Sequence, residues 1–133
     1  MARILLVEDE ELIRLSFLTA LEEAGHGVCD AANGSRALEC LDEGEFDLVI
    51  TDVLLPEING LTIIQTIVSQ FPATKVIAVS GGGERLTASD NLEISESFGA
   101  DAILSKPITD RELREAVDRV LAAPSARMSA QGR

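Results

Sequence analysis

The sequence predicts an α/β fold in which five parallel strands carry helices on both faces, a doubly wound (βα)5 arrangement. Short apolar runs, bounded by turns or charges, alternate along the chain with segments whose apolar residues recur at helical spacing. Parallel strands need such crossovers, and the fixed hand of each crossover allows helices to cover both faces of the sheet. Strands buried on two sides are continuously apolar, as these runs are.

The five predicted strands cover residues 4–7, 28–32, 48–50, 76–79 and 102–104, of which the second is the weakest apolar run. The first helical segment places five apolar side chains on one face: Ile13, Phe17, Ala20, Leu21 and Ala24. This helix is predicted to end at Gly25, because glycine readily adopts the left-handed conformation that caps a helix.

Two further helices follow the same logic. One has an apolar face formed by Leu61, Ile64, Ile67, Val68 and Phe71. The last helix begins with Thr109 and Glu112 in capping-box spacing and is predicted to end at Pro124. Its apolar face consists of Leu113, Ala116, Val117, Val120 and Leu121. The order is therefore strand then helix, five times over.

Length and composition indicate one domain. With 133 residues, of which 46% are hydrophobic, the chain can bury a single core. We expect this domain at residues 1–123 and a disordered tail at residues 124–133, where the sequence is small, polar and without periodicity.

Charge and hydropathy exclude several classes of partner. The net charge of -12 repels nucleic-acid backbones and anionic membranes, so neither is an expected partner. No apolar run approaches the roughly 20 residues that span a bilayer, and Arg3 leads directly into a strand rather than a signal peptide. We expect a cytoplasmic protein. Cys29 and Cys40 lack metal-type or redox-type spacing and are interpreted as reduced, partly buried thiols.

Polar side chains follow four of the predicted strands. Glu8 and Asp9 follow the first strand, Asp52 the third, Ser80 the fourth and Lys106 the fifth. Since ligands of such sheets bind beyond the carboxyl ends of the strands, these five side chains should gather at one edge. Three acids beside a hydroxyl and an amine indicate a site for a divalent cation and a phosphoryl group.

The expected chemistry follows from these residue types. Three carboxylates about 5 Å apart repel one another by roughly 3 kcal/mol per pair at an effective dielectric constant near 20. A cation with oxygen ligands, Mg²⁺ or Mn²⁺, compensates this repulsion. Lys106 can pair with Asp52 at rest and with a phosphoryl oxygen later, and Ser80 can donate to the same oxygens. Asp52 is the candidate nucleophile for phosphoryl transfer.

Each residue alone also has a purely structural interpretation. Acids after a strand often form a favourable negative first turn of the next helix, which suits the acidic run at residues 8–11 before Leu12. Ser80 before three glycines is typical of a loop, and Lys106 before Pro107 is typical of a strand end. Asp52 lies between apolar runs, where an unpaired acid is costly unless it has an ion-pair partner or a function. Only the combination is specific.

With these motifs in place, the chain resembles the response regulator receiver domain of bacterial two-component systems, of the CheY-like superfamily with a flavodoxin-like fold. The resemblance spans residues 3 to about 121. The matching motifs are ILLVED (residues 4–9), DLVITD (residues 47–52) followed by Pro56 and Gly60, VSG (residues 79–81) and LSKP (residues 104–107).

The resemblance implies a role for each acid. Asp52 accepts a phosphoryl group from a histidine kinase or phosphotransfer protein. Asp9, Asp52 and the backbone carbonyl of Leu54 bind Mg²⁺, and Glu8 holds a metal-bound water.

The resemblance also implies roles for the residues that follow the fourth and fifth predicted strands. Ser80 is the switch hydroxyl that moves toward the phosphoryl group, and Lys106 contacts that group. The bond to Pro107 is expected to be cis. Gly81 is small and keeps the path to Asp52 open.

The chain departs from the family pattern at two places. Ile103 stands where the family often has a Tyr or Phe that moves with the switch, and the chain contains no Tyr or Trp. The segment at residues 81–97 is long and rich in Gly, Ser and acids. We expect this segment to be mobile and to carry the output change or partner specificity. Leu54 and Gly82 flank the pocket at positions that tune hydrolysis in the family.

Three other functions are compatible with parts of the pattern. A phosphorylation-independent receiver would usually have lost the acid, the hydroxyl or the lysine. A hydrolase with an aspartyl-phosphate intermediate would need a general acid two residues after Asp52, where Leu54 stands. A flavin-binding protein needs ring-stacking aromatics, whereas the four aromatics are interpreted as core or surface: Phe17, Phe46, Phe71 and Phe98.

We therefore expect a receiver that catalyses only its own phosphorylation and autodephosphorylation. Its output is expected to come from docking to a protein partner or from passing the phosphoryl group onward. It should be a monomer or form a weak, phosphorylation-dependent dimer. His26 is interpreted as a solvated loop residue rather than a phosphorelay histidine.

Overall fold

The structure is a computed structural model that describes residues 1–53, 55, 58, 60–81 and 98–124. In chain order, its elements are β1 (Arg3–Val7), α1 (Glu11–Glu23), β2 (Gly27–Ala31), α2 (Gly34–Glu43), β3 (Leu48–Asp52), α3 (Gly60–Gln70), β4 (Lys75–Ser80), β5 (Ala102–Ser105) and α4 (Asp110–Ala122). All five predicted strands are confirmed. The predicted helix between β4 and β5 falls on residues 82–97, which lie outside the described residues. The predicted tail at residues 124–133 also lies outside them, except for Pro124.

The five strands form one parallel sheet with the order β2-β1-β3-β4-β5. The chain adds β2 on one side of β1 and β3 on the other, so the strand order reverses between β1 and β3. This confirms the doubly wound fold class, and the reversal opens a crevice at the carboxyl ends of these two strands. No helix in the described part of the chain is long and apolar enough to span a membrane.

Each face of the sheet has its own hydrophobic core. On one face, α1 and α4 pack Leu21 and Leu113 against Ile4 and Leu6 of β1. On the other, α2 and α3 pack against the alternate residues of the strands, such as Leu5 of β1. Successive side chains of a strand point to opposite faces, so both faces of a continuously apolar strand are buried.

The C-terminus of α1 confirms the predicted glycine cap. Gly25 has a φ of 95°. Its backbone N–H donates to the carbonyl of Glu22 at 3.0 Å, and the N–H of His26 donates to that of Leu21 at 3.2 Å, the two bonds of a Schellman motif. Ala24 is exposed, contrary to its predicted place on the apolar face, because it is the terminal cap residue.

His26 also differs from the prediction of a solvated loop residue. Its side chain is half-buried, and its Nδ1 accepts a hydrogen bond from the backbone N–H of Ala2 at 3.1 Å. The imidazole therefore ties the turn after α1 to the chain entering β1. The contact joins residues that are 24 positions apart in sequence, and local sequence patterns do not predict contacts of this kind.

The predicted capping box of α4 is present. The Thr109 side chain accepts from the N–H of Glu112 at 3.0 Å, and the Glu112 carboxylate accepts from the N–H of Thr109 at 2.9 Å. At the other end of the helix, the Nζ of Lys75 donates to the carbonyls of Val120, Leu121 and Ala123. These carbonyls are the unpaired ones at a helix C-terminus. Since Lys75 begins β4, the N-terminus of α4 lies toward the carboxyl edge of the sheet.

The Glu112 carboxylate leads to a pH-dependent prediction. Hydrogen bonds from Thr109 lower the pKa of Glu112 below its ordinary value of 4.5. The folded chain therefore favours the ionised form of Glu112. The stability that this carboxylate contributes is present above pH 4.5 and is lost as the pH falls through the lowered pKa. We expect Glu112→Gln to destabilise the protein at neutral pH, and the difference to disappear in acid. Urea denaturation at several pH values measures this, and a pH-independent difference would contradict it.

Candidate functional site

Three carboxylates converge at the carboxyl edge of the sheet. Glu8 and Asp9 follow β1, and Asp52 ends the neighbouring strand β3. One oxygen from each lies within 4.8 Å of the other two. Glu8 and Asp52 are buried, whereas Asp9 is exposed. The cluster thus has two acids inside the protein and one at its mouth, and among the described residues it is the only group with this potential to hold a metal ion.

Lys106 bridges the two buried acids. Its Nζ lies 2.7 Å from Oδ2 of Asp52 and 2.9 Å from Oε1 of Glu8. The side chains of Lys106 and Asp52 are each only 8% exposed and that of Glu8 is 2% exposed, so the pairing takes place away from bulk solvent. Burial opposes the charge of the lysine, but the hydrogen bonds to Asp52 and Glu8 outweigh it and raise the pKa of Lys106. The lysine therefore stays protonated and compensates the acids.

Glu8 is held by a second contact as well. Its Oε2 accepts a hydrogen bond from the backbone N–H of Glu10 at 3.0 Å. Burial raises the pKa of Glu8 above its ordinary value, and the hydrogen bonds from Lys106 and Glu10 oppose this effect. Both oxygens thus have donors, which fixes the carboxylate within the turn after β1.

Ser80 and Gly81 occupy the end of β4. Ser80 is buried, and its carbonyl accepts from the backbone N–H of Lys106 at 2.6 Å. Gly81 has a φ of 123°, and a Cβ added there would lie 2.8 Å from the Lys106 nitrogen. The resemblance implies that Gly81 keeps the path to Asp52 open. The structure adds two further reasons for glycine here, the positive φ and the close approach of Lys106, which follows β5. The peptide bond between Lys106 and Pro107 is cis, as expected.

Gly60 brings α3 directly against the backbone of Asp52. A Cβ added to Gly60 would lie 1.8 Å from the carbonyl oxygen of Asp52 and 2.8 Å from the Cα of Val53. The N–H of Gly60 donates to the carbonyl of Val53 at 2.9 Å. The sequence identified Gly60 only through a motif, but the structure shows that it sets the distance between α3 and the site.

Sequence reasoning missed Arg14 of α1. Its Nη1 donates to the backbone carbonyl of Glu8 at 3.0 Å, and its Nε donates to Oδ2 of Asp30 at 3.1 Å. Arg14 therefore ties the acidic turn to β2. The available signal was Asp30 itself, a charged residue inside an apolar strand, which needs a cationic partner.

Some predicted positions are not described. The Leu54 carbonyl, Pro56, Gly82 and the rest of the segment after Gly81 up to residue 97 lie outside the described residues. Ile103, which replaces the aromatic residue expected in the family, is half-buried on β5 and packs against the core covered by α2 and α3.

Comparisons with known proteins agree with this geometry. The family model described as response regulator receiver domain matches residues 4–118. The sensor kinase CckA of Brucella abortus is 38% identical over 122 residues, which are 90% of this chain and 12% of that protein. The chain therefore spans about an eighth of that relative.

The receiver protein CpdR of Brucella abortus is 34% identical, with 92% of this chain and 99% of that protein covered. A CheY-like receiver domain structure from Methanospirillum hungatei has a TM-score of 0.83 and 30% identity, covering 92% and 94% of the two chains. The matching motifs, the strand order and these similarities lead to one conclusion: the chain belongs to the response regulator receiver domain family of two-component signalling.

Proposed function

We propose that this chain accepts a phosphoryl group on Asp52 in a Mg²⁺-dependent reaction. The observation that carries the proposal is the setting of Asp52, a buried acid at a strand end with two further carboxylates within 4.8 Å and a lysine amine at 2.7 Å. A buried acid that only stabilised the fold would need one partner and not a second pair of acids beside it. The donor is a histidine kinase or a phosphotransfer protein.

The proposed step is an in-line displacement at phosphorus. A carboxylate oxygen of Asp52 forms the new P–O bond while the bond from phosphorus to the donor breaks, and the electron pair leaves with the donor. Lys106 is close enough to Asp52 to contact an equatorial phosphoryl oxygen after transfer. The Ser80 hydroxyl is the proposed second donor to these oxygens. Attack by water on the aspartyl phosphate later returns Asp52 to its carboxylate.

Receiver domains bind Mg²⁺ at an acidic pocket, and the residues present here fit this ion. Hard oxygen donors are the ligands that Mg²⁺ prefers, and the cluster offers three carboxylates, of which Asp9 opens to solvent. Asp9 and Asp52 would hold the ion together with the carbonyl of Leu54, and Glu8 would hold a coordinated water. When bound, the ion neutralises charge on the transferring phosphoryl oxygens.

The proposed role in the cell is signalling rather than turnover of an external substrate. The chain would catalyse only its own phosphorylation and dephosphorylation, as Leu54 stands where a hydrolase would need its general acid. Similarity to a protein named as a sensor kinase supports a kinase partner. The phosphorylated chain would dock to a downstream protein or pass the phosphoryl group onward, as a monomer or a weak dimer, in the cytoplasm.

Intact mass after incubation with acetyl phosphate tests this proposal. We expect one phosphoryl adduct in Mg²⁺, none in EDTA and none in Asp52→Asn. Asp118→Asn is the matched control and should keep the adduct, because Asp118 is exposed near the C-terminal end of α4. A folded protein that binds Mg²⁺ and forms no adduct from acetyl phosphate or from a phosphorylated kinase would instead favour a phosphorylation-independent interaction domain.

A further inference from the structure

The two cysteines, which are 11 residues apart in sequence, meet in the fold. Cys29 lies on β2 and Cys40 on α2, and their Sγ atoms are 3.4 Å apart. Both are free thiols. The connection from β2 to α2 is short, and the Asn33 side chain caps α2 by accepting from the N–H of Arg36 at 2.8 Å. The cap and the pairing of β2 with β1 hold the two sulfurs together as part of the fold.

We propose that Cys29 and Cys40 are an oxidation site at which a peroxide produces a reversible intramolecular disulfide. The sulfur atoms need to approach by only about 1.4 Å to reach a normal S–S bond length. Rotations about the side-chain bonds and a small shift of α2, packed on β2, can supply this distance. Disulfides in a cytoplasmic protein are usually transient or redox-sensing, which suits a pair that is reduced at rest.

The burial of the two thiols indicates which of them reacts with the peroxide first. Cys29 is half-buried on β2, an edge strand of the sheet, whereas Cys40 is a buried core residue of α2. Burial and the neighbouring Cys29 raise the pKa of Cys40 to about 11, so Cys40 remains a thiol. The more accessible Cys29 therefore meets the oxidant first, and Cys40 resolves the product.

The two steps balance as follows. The Cys29 thiolate attacks one oxygen of hydrogen peroxide, so that an S–O bond forms, the O–O bond breaks and hydroxide leaves to become water. The Cys40 sulfur then attacks the Cys29 sulfur, so that the S–S bond forms and the S–O bond breaks. The sulfenic hydroxyl leaves with the Cys40 proton as a second water. Two thiols are oxidised and one peroxide is reduced.

The sequence provides a direct readout that does not depend on phosphorylation. Trypsin cleaves after Arg14, Arg36 and Lys75, so Cys29 and Cys40 fall in separate peptides, residues 15–36 and 37–75. After treatment of the wild-type chain with hydrogen peroxide, and alkylation under denaturing conditions, a non-reducing digest should contain these peptides joined. A thiol reductant should separate them and restore both alkylatable thiols.

Cys40→Ser is the matched variant, since it removes the resolving thiol and leaves Cys29 in place. We expect it to accumulate a sulfenic acid on Cys29 that dimedone traps, at least tenfold more than wild type. The proposal is overturned if wild-type protein keeps both thiols alkylatable, forms only disulfides between chains, or gains irreversible oxygen adducts on Cys29. The wild-type peptide map decides the question by itself if the variant does not fold.

Discussion

Replacement of Lys106 by methionine is expected to lower the free energy of unfolding by about 3 kcal/mol in EDTA. The lysine amine lies within 2.9 Å of both Glu8 and Asp52, and all three side chains are almost completely buried. Without the amine, two carboxylates remain in a low-dielectric site with no cation between them. We expect a clearly smaller loss in saturating Mg²⁺, because a cation bound at the same acids takes over part of this compensation.

Urea denaturation of both proteins, in EDTA and in Mg²⁺, measures the two values. Arg111→Met is the matched control, since Arg111 pairs with Glu115 on the exposed surface of α4 and should change stability by less than about 0.5 kcal/mol. An equal loss for Lys106→Met in both buffers would contradict the prediction. It would mean that a cation at these acids does not take over the charge compensation that the lysine amine provides.

Gly60→Ala is expected to be the second severe substitution, with a loss of about 3 kcal/mol or more. The new Cβ would lie 1.8 Å from the carbonyl oxygen of Asp52, a distance that no side-chain rotation can relieve because both groups are fixed to the backbone. Either α3 must move away from the sheet or the end of β3 must shift. We therefore expect weaker Mg²⁺ binding together with lower stability.

Gly27→Ala is the control for this substitution. Its added Cβ would have only one neighbour within 4 Å, the Sδ of Met1 at 3.9 Å, so a change below about 0.5 kcal/mol is expected. The chain contains no Trp or Tyr, so Mg²⁺ affinity is better measured by titration calorimetry than by intrinsic fluorescence. Unchanged stability and affinity in Gly60→Ala would show that α3 does not restrain Asp52.

The strand-end residues explain why so much of the site could be predicted. In a parallel sheet every strand runs in the same direction, so a residue that follows any strand lies at the same edge. Glu8, Asp9, Asp52 and Lys106 therefore meet at that edge once the apolar runs are recognised as strands. Their chemical roles remain predictions, which the acetyl phosphate experiment tests.

Other features depend on contacts that no local pattern encodes. Arg14 of α1 donates to Asp30 of β2 across 16 residues of chain, and His26 accepts from Ala2 across 24 residues. The thiols of Cys29 and Cys40 have no redox-type spacing, yet a strand and the following helix bring them within 3.4 Å. These arrangements follow from how neighbouring elements pack.

The sequence by itself determined the fold class, the five strands, the caps at Gly25 and Thr109, and the edge at which the acids collect. These features depend on hydrophobic periodicity and on local backbone preferences, which a short window of residues expresses. Only the tertiary structure decided that Lys106 pairs with two buried acids, Glu8 and Asp52. It also decided that Gly60 lies against the Asp52 carbonyl. Such distances arise from the way separate elements pack against one another, so they appear only when the whole fold is assembled.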